Sequence, residues 1–110
     1  MSQGTIQVTA TAEALANKIS NRTARVGIIG LGYVGLPLAV EFAKAGFSVT
    51  GIDLIESKVA RLNAGDSYVQ DVPSSEVSSL VEQGKLRATT DFRVVAELDT
   101  INICVPTPLR

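Results

Sequence analysis

The chain has 110 residues, with 10 Lys and Arg against 11 Asp and Glu, no His and one Cys. This length predicts one domain, and the balanced charge argues against a nucleic-acid partner, because phosphate neutralisation needs clustered cations. There is no imidazole ligand, and one Cys cannot form an all-cysteine zinc site or an internal disulfide. With neither a signal peptide nor a run of roughly 20 apolar residues, we expect a cytoplasmic protein with no membrane partner.

Residues 1–24 differ in composition from the rest of the chain, being rich in Ala, Thr, Ser, Asn and Gln. We interpret them as an N-terminal extension with a short helix at Ala12–Asn21. From Arg25 onward, apolar runs alternate with helical patterns, which predicts βαβ units around a parallel sheet. Residues 25–110 are therefore the predicted domain.

The first predicted elements are a strand, a helix and a second strand. Val26–Ile29 is a short apolar run that suits a strand buried on both faces. Apolar residues at three- and four-residue steps then predict a helix over Val34–Ala45, which Gly46 ends in a left-handed conformation. Phe47–Ile52 is the second strand, and it is followed by Asp53.

The second half of the domain is predicted to contain two helices, two strands and a brief helix between the strands. The first helix passes through Val59 and Leu62 and ends near residues 63–65, and a loop follows at Tyr68–Pro73. The second helix is capped by Ser74 or Ser75 and ended by Gly84. The strands are Leu86–Thr89 and Thr100–Val105, and the brief helix between them is capped by Asp91.

This pattern predicts an α/β fold of the Rossmann type, a parallel sheet with helices on both faces. Four strands amount to the first half of a doubly wound fold, in the order 3-2-1-4, without the second mononucleotide-binding half. Because residue 110 directly follows a strand and two prolines, we expect the sequence to be part of a longer protein.

A glycine-rich loop, Gly30–Gly35, has the pattern G-x-G-x-x-G between a strand and a helix, which is typical of dinucleotide binding. Gly30 permits the tight turn, Gly32 lets the backbone approach a pyrophosphate, and Gly35 allows close packing of the helix. The amides near Tyr33 and Val34 begin the helix, where its dipole attracts phosphate. The alternative is a glycine cluster that serves packing alone.

Asp53 follows Gly35 by 18 residues, close to the spacing of the acid that binds the adenosine ribose hydroxyls. Since a carboxylate repels a 2′-phosphate, it predicts NAD rather than NADP as the cofactor. Lys58, about one turn further on, can reach the same ribose. The alternatives are that Asp53 caps the following helix and that Lys58 lies on a solvated face.

Cys104 is predicted to be a small buried residue of the fourth strand rather than a nucleophile, because no His can activate it. Pro106 and Pro108 favour extended backbone at Val105 and Thr107. These residues lie at the carboxyl edge of the sheet, where open α/β folds bind ligands.

Together the motifs resemble the N-terminal NAD-binding part of the nucleotide-sugar dehydrogenases, the family of UDP-glucose and GDP-mannose dehydrogenases. The matching stretches are Val26–Glu41, Gly51–Asp53 and Cys104–Leu109. The loop Tyr68–Pro73 and the run Ala88–Phe92 resemble the branch that oxidises UDP-N-acetylhexosamines.

The resemblance implies a two-step oxidation of the C6 hydroxyl of a UDP-sugar to a carboxylate by two NAD through a Cys-bound intermediate, for polysaccharide precursor synthesis. It places the Tyr33 and Val34 backbone on the cofactor phosphates, Asp53 and Lys58 on the adenosine ribose, the adenine near Cys104–Pro106, and Thr107 near the cofactor. The family's catalytic residues and sugar-nucleotide domain lie beyond residue 110, and the intact enzyme would be a homo-oligomer.

Two other functions remain open at this point. A Rossmann dehydrogenase acting on hydroxyacyl-CoA or 6-phosphogluconate would not be expected to have the Val-Pro-Thr-Pro turn. A non-catalytic NAD-sensing module would be complete at residue 110.

Overall fold

A computed structural model describes residues 23–104 of the chain. The predicted helix at Ala12–Asn21 lies outside the described residues, as do Val105, Pro106 and Thr107. Ala24, which the predicted boundary leaves in the extension, is fully buried in the core. The division of the chain at residue 24 stays a prediction.

The described residues alternate strands and helices, as the sequence predicts. The chain folds in the order β1 (Arg25–Ile29), α1 (Gly35–Lys44), β2 (Ser48–Ile52), α2 (Glu56–Asn63), α3 (Ser74–Glu82), β3 (Leu86–Thr89), a 3-10 helix (Phe92–Glu97) and β4 (Thr100–Ile103).

The four strands form one parallel sheet in the order β3-β2-β1-β4. This is the order predicted for the first half of a doubly wound fold. In the register, Ile29 at the end of β1 is opposite Ile52 of β2 and Ile103 of β4. Three strands therefore end at the same level, which brings the segments that follow them to one edge.

The three α-helices pack on one face of the sheet, because β1, β2 and β3 advance in one direction and right-handed crossovers then place both connections on the same side. α1 contacts β1, β2 and α3, and α2 contacts β3 and α3. The buried residues of α1 recur at three- and four-residue steps; they are Gly35, Leu36, Ala39, Val40 and Ala43. Leu38 and Phe42 flank these buried residues and are half-buried.

The opposite face carries the 3-10 helix instead of a long helix. Leu98, which follows that helix, lies over Gly27 of β1, where a Cβ would collide with the leucine side chain. Ile101 and Ile103 of β4 point to this face and are 39% and 68% exposed. β4 is therefore an apolar strand whose side chains on this face are partly open to solvent.

Five element boundaries differ from the prediction by one or two residues, and two of these are the starts of β1 at Arg25 and of β2 at Ser48. α1 begins at Gly35, one residue later than predicted, and ends at Lys44, with Val34 and Ala45 as its cap residues. β4 ends at Ile103, so Cys104 follows the strand instead of belonging to it. The left-handed conformation predicted for Gly46 is confirmed by its φ of 105°.

The predicted cap of α3 by Ser74 or Ser75 is wrong. The cap residue is Pro73, and no side chain bonds the first turn. The Ser74 hydroxyl is engaged elsewhere, because it accepts from the Ser67 amide at 2.9 Å and donates to the Asp66 carboxylate at 3.1 Å. The predicted cap by Asp91 is confirmed, since its carboxylate accepts from the Arg93 amide at 2.9 Å.

The free edge of β3 is covered by a side chain of α2. Asn63 donates from Nδ2 to the Ala88 carbonyl at 2.9 Å and accepts the Ala88 amide on Oδ1 at 2.8 Å. A side-chain amide thus satisfies the groups that a further strand would bond, which protects an edge that could otherwise pair with another chain.

In the described range, no helix is long and apolar enough to cross a membrane. Between residues 23 and 104 there is also no group of three or more Cys, Asp and Glu side chains placed to hold a metal ion.

Candidate functional site

The candidate site lies at the carboxyl edge of the sheet, where open α/β folds bind ligands. Here the glycine-rich loop follows β1, Asp53 follows β2 and Cys104 follows β4. The Gly30 amide donates to the Ile52 carbonyl at 2.8 Å, and the Cys104 amide donates to the Ile29 carbonyl at 2.7 Å. These bonds continue the ladder beyond the strands and fix the three segments side by side.

The glycines of the loop have different structural reasons to lack a side chain. Gly30 has a φ of 96°, a conformation that L side chains rarely adopt. At Gly35 a Cβ would overlap the Gly30 carbonyl oxygen, so a glycine is required for α1 to begin this close to the end of β1. Over Gly32 the space is open, and the nearest atom to a Cβ would be Lys58 Nζ, 4.0 Å away.

The start of α1 presents backbone amides without acceptors. The first bond of the helix runs from the Leu36 amide to the Gly32 carbonyl at 3.1 Å. The amides of Tyr33, Val34 and Gly35 have no acceptor among residues 23–104. Unpaired amides at the positive end of a helix dipole form an anion-binding site. The side chains of Tyr33 and Val34 are exposed and leave this backbone accessible.

Leu31, between the first two glycines, is held at its backbone and its side chain. Its amide donates to Asp53 Oδ2 at 2.8 Å, and its carbonyl accepts from the Tyr68 hydroxyl at 2.7 Å. Its side chain is fully buried over Gly51, where a Cβ would lie 2.6 Å from Leu31 Cδ2. The tip of the loop is therefore fixed to β2 and to the segment that follows α2.

Asp53 is half-buried and each of its carboxylate oxygens accepts a backbone amide, Leu31 on Oδ2 and Ile55 on Oδ1, the latter at 2.9 Å. A carboxylate has about four lone-pair positions, so Asp53 can still accept from a ligand hydroxyl. The alternative that it caps the following helix is wrong, because the cap residue of α2 is Ile55 and no side chain caps that helix.

Lys58 is half-buried, and its ammonium group lies beside Gly32 of the glycine-rich loop. Its ammonium group makes no hydrogen bond or ion pair with any residue that the structure describes. It does not lie on the fully solvated face that the alternative interpretation required. A free cation beside open backbone amides adds to the attraction for an anion.

An apolar pocket of about 370 Å³ lies between the glycine-rich loop and the segment after β2. Asp53 and Lys58 lie at its rim, and its walls are mostly aliphatic and aromatic, including Ile29, Leu54, Ile55, Phe92 and Cys104. Leu54 is 78% exposed. A slot with apolar walls and one polar rim has the chemistry needed by a nucleoside, whose base is flat and whose ribose carries hydroxyls.

Phe92, Leu54 and Ile55 line this pocket but were not among the site residues predicted from the sequence. Phe92 is the first residue of the 3-10 helix and is separated by nearly forty residues from Asp53 along the chain. Leu54 and Ile55 could have been found from the sequence. They are two large apolar residues directly after the predicted strand and Asp53, and no helix or strand pattern accounts for them.

A second pocket of about 430 Å³, the cationic pocket, adjoins the first and shares Gly32 and Lys58 with it. Arg61 and Tyr68 contribute to its far wall. The Arg61 guanidinium pairs with Asp66 at 2.9 Å and lies 5.6 Å from the centre of the Tyr68 ring. Hydrogen bonds from Arg61 and Ser74 hold the pKa of the Asp66 carboxyl below its usual value.

A larger cavity of about 500 Å³ lies between α1 and α3, away from the loop. The ion pair between Lys44 and Glu76, with Nζ and Oε1 3.1 Å apart, crosses it. Hydrogen bonding to Glu76, with the charge of Glu41, raises the pKa of Lys44. Both cations that line it are already engaged, Lys44 by Glu76 and Lys85 by the Gly46 carbonyl at 3.2 Å, so this open groove lacks the features of a ligand site.

The residues present fit NAD. The open backbone at Gly32, the free amides that follow it and the unpaired Lys58 suit a pyrophosphate, and Asp53 at the rim of an apolar slot suits an adenosine. The structure brings together eight of the predicted site residues; these are Gly30, Gly32, Tyr33, Val34, Gly35, Asp53, Lys58 and Cys104. Val105, Pro106 and Thr107 lie outside the described residues, and contact of all of these with NAD stays a prediction.

The chain is similar to proteins that share this fold and loop. It is 39% identical over 88 residues to UDP-N-acetyl-D-mannosamine dehydrogenase of Escherichia coli K12, covering 79% of this chain and 20% of the relative. It is 36% identical over 83 residues to UDP-glucose 6-dehydrogenase AglM of Haloferax volcanii, covering 76% of this chain and 19% of that relative. The chain thus spans about a fifth of the length of these relatives.

Solved structures agree with the fold. GDP-mannose dehydrogenase from Pseudomonas aeruginosa, in a ternary complex, superposes with a TM-score of 0.72 and 34% identity over 78% of this chain and 20% of that one. UDP-glucose dehydrogenase from Pyrobaculum islandicum superposes with a TM-score of 0.69 and 34% identity, over 77% of this chain and 21% of that one.

The family match also decides among the enzyme classes left open by the sequence. Residues 24–110 match the UDP-glucose/GDP-mannose dehydrogenase family, NAD binding domain, rather than a hydroxyacyl-CoA or 6-phosphogluconate dehydrogenase. The match begins at Ala24, which is fully buried in the core. The chain belongs to the UDP-glucose/GDP-mannose dehydrogenase family, of which it is the NAD-binding domain.

Proposed function

We propose that this chain holds NAD for a nucleotide-sugar 6-dehydrogenase, with the cofactor lying across the carboxyl edge of the sheet. The pyrophosphate contacts the amides of Tyr33, Val34 and Gly35, and the adenosine occupies the apolar pocket. The observation that carries the proposal is the row of unpaired amides beside the open backbone of Gly32 and the carboxylate of Asp53.

The adenosine half of the cofactor is bound by complementary groups. Asp53 accepts from the ribose hydroxyls with the lone pairs that Leu31 and Ile55 leave free, and Lys58 lies close enough to share the ribose or the phosphates. The base packs among Leu54, Ile55, Phe92 and Cys104, and we propose that Val105, Pro106 and Thr107 extend this contact. Apolar walls bind the base and exclude water from the ribose bonds.

The carboxylate of Asp53 also favours NAD over NADP. A 2′-phosphate at this rim would face a carboxylate that is held in place by two backbone amides and cannot turn away. Two like charges that face each other in a partly desolvated site repel more strongly than they would in water. When bound, NAD supplies the hydride acceptor, and the residues of this domain position it.

For the whole enzyme we propose oxidation of the C6 alcohol of a UDP-sugar to the carboxylate, with two NAD reduced per sugar. The relatives named above act, by their names, on UDP-N-acetyl-D-mannosamine, UDP-glucose and GDP-mannose. A UDP-N-acetylhexosamine is the substrate we favour, because of the resemblance of the Tyr68–Pro73 loop. We further propose a cytoplasmic homo-oligomer that makes polysaccharide precursors.

Cofactor binding is tested by titrating the chain with NAD and with NADP in a calorimeter. We expect NAD to bind at least tenfold more tightly than NADP. Equal affinity would contradict the role of Asp53, and failure of both to bind would contradict the proposed site.

The substrate is tested on the native protein. It is assayed for NADH formation with UDP-glucose, UDP-N-acetylglucosamine, UDP-N-acetylmannosamine and GDP-mannose, and its mass is measured by light scattering. Two NADH per sugar with a UDP-N-acetylhexosamine supports the proposal. Turnover with none of the four would contradict the proposed activity while leaving cofactor binding to be judged by the titration.

A further inference from the structure

Tyr68 contacts the glycine-rich loop although it lies outside every motif assigned to the cofactor. Its hydroxyl donates to the Leu31 carbonyl at 2.7 Å across 37 residues of sequence. Tyr68 is half-buried, and its ring contributes to the cationic pocket. The hydroxyl is therefore one step removed from the amides proposed to bind phosphate.

The bonded carbonyl is the one that a longer α1 would use. In an α-helix the amide of residue i donates to the carbonyl of residue i−4, so the natural acceptor for the Gly35 amide is the Leu31 carbonyl. In the structure this carbonyl accepts from Tyr68, and the Gly35 amide has no acceptor among the described residues. The carbonyl retains a second lone pair, so the Gly35 amide is left free by the orientation in which Tyr68 holds the Leu31 carbonyl.

The position of Tyr68 is itself fixed. Arg61 of α2 lies against the tyrosine ring, 5.6 Å from its centre, and donates to the Ser67 carbonyl at 3.2 Å. Arg61 also bonds Asp66 at 2.9 Å, and Asp66 accepts from Ser74 at the start of α3. The segment that carries Tyr68 is thus attached at both ends to helices that pack on the sheet.

The hydroxyl remains a donor throughout the physiological pH range. Burial, with a contribution from the charge of Asp53, raises the pKa of Tyr68 to about 12. A phenolate could not donate to a carbonyl, so this protonation state is the one that the contact requires.

We propose that Tyr68 is a positioning residue for the pyrophosphate of the cofactor: its bond holds the Leu31 carbonyl in an orientation in which the carbonyl does not accept the Gly35 amide, and so preserves the anion site at the start of α1. This inference rests on the proposed function, since it assumes that phosphate binds there. It predicts that Tyr68 affects ligands that carry phosphate and does not affect the nucleoside alone.

The test uses Tyr68→Phe, which keeps the ring beside Arg61 and removes only the hydroxyl. The wild-type and variant chains are titrated with adenosine, ADP and NAD by NMR. We expect ADP and NAD to bind roughly three- to tenfold more weakly, the effect of one misplaced hydrogen bond, and adenosine to bind equally well. The control is Ser79→Ala, which removes an exposed hydroxyl that bonds Gln83 on α3; it should change none of the three affinities.

A second measurement follows the Gly35 amide directly. In Tyr68→Phe the Leu31 carbonyl is no longer held away from α1 and can turn to accept this amide, so we expect the hydrogen exchange of the Gly35 amide to slow, whereas a general loosening of the fold would speed it. Thermal unfolding of both chains identifies a variant that has simply lost stability.

Three results would overturn the inference: an unchanged affinity for ADP, an equal loss of affinity for adenosine and ADP, or faster exchange at Gly35. If the wild-type chain binds neither NAD nor ADP, the proposed function fails instead, and the exchange measurement still decides whether Tyr68 controls the amide.

Discussion

The carboxylate of Asp53 and the amide of Leu31 are joined by a 2.8 Å hydrogen bond that ties the end of β2 to the glycine-rich loop. The residue proposed to bind the ribose is thus also a brace for the loop proposed to bind the phosphates. Substitution at Asp53 should consequently affect stability as well as cofactor choice, and the two effects can be measured separately.

Asp53→Ala should weaken NAD binding by about 1–3 kcal/mol, because bonds to a charged acceptor are lost. Unfolding in urea should show a loss of stability of similar size, since the Leu31 and Ile55 amides lose their acceptor. Asp71→Ala is the control; Asp71 is exposed and makes no hydrogen bond or ion pair with the described residues. An unchanged NAD affinity in Asp53→Ala would count against the ribose contact.

Asp53→Asn separates the two roles. Asparagine has one acceptor oxygen where aspartate has two, so one of the two backbone amides would face an NH₂ donor. We expect it to bind NAD more weakly than wild type and to discriminate less against NADP, because the repelling charge is gone. Calorimetric titration with both cofactors measures the ratio, and an undiminished preference for NAD would contradict the electrostatic argument.

Substitution by alanine should have different effects on the stability of the fold at two glycines of the loop. Gly35→Ala places a Cβ inside the Gly30 carbonyl and should cost on the order of 4 kcal/mol or prevent folding. Gly32→Ala meets only Lys58 Nζ at 4.0 Å and has no positive φ, so its stability should change by less than about 1 kcal/mol.

The Gly32→Ala variant nevertheless should bind NAD at least tenfold more weakly, because its Cβ occupies the space proposed for the pyrophosphate. Urea unfolding and NAD titration of both variants check the pair. A Gly32→Ala chain with normal NAD affinity would show that the cofactor does not approach this backbone.

The edge of β3 gives a prediction about stability alone. Asn63→Ala should destabilise the fold by about 1–2 kcal/mol, since two hydrogen bonds to Ala88 are lost at a partly exposed position. Asn63→Asp keeps the acceptor for the Ala88 amide but opposes a carboxylate to the Ala88 carbonyl, so it should be no more stable than Asn63→Ala at neutral pH. Urea unfolding compares the variants, and a stable Asn63→Asp would show that the carbonyl bond contributes little.

The Arg61–Asp66 pair predicts that the stability of the fold decreases in acid. The pKa of Asp66 is lowered in the folded state, first by its hydrogen bond from Arg61, so its contribution to stability is present above the unfolded pKa and is lost as the pH falls through the folded pKa. The urea midpoint of wild type should therefore exceed that of Asp66→Asn near neutral pH and approach it as the pH falls below the ordinary aspartate pKa of about 4. Asp71→Asn should show no such convergence, and a constant gap for Asp66→Asn would contradict the assignment.

The local patterns of the sequence were sufficient for the strands, their order and the glycine-rich loop. Val26–Ile29 and Leu86–Thr89 are short apolar or alternating runs bounded by glycine or a polar turn, and a parallel order follows from helices between them. Asp53 could be found because its spacing from the loop is a property of the chain alone.

Contacts between distant segments could not be found in this way. The bond from Tyr68 to Leu31 joins residues 37 positions apart, and no periodicity records it. Ser74 has the composition of a helix cap but bonds Asp66 instead, because the turn before α3 folds back on α2. Phe92 has an apolar side chain that suits the core as well as a ligand pocket.

Leu31 is fixed at its amide by Asp53, at its carbonyl by Tyr68 and at its side chain over Gly51. A loop restrained at three points is preorganised, so a cofactor that binds it does not pay the conformational entropy of ordering the backbone. Association should then depend on diffusion and on the charge of Lys58 rather than on a rearrangement of the protein, and it should slow as salt screens that charge.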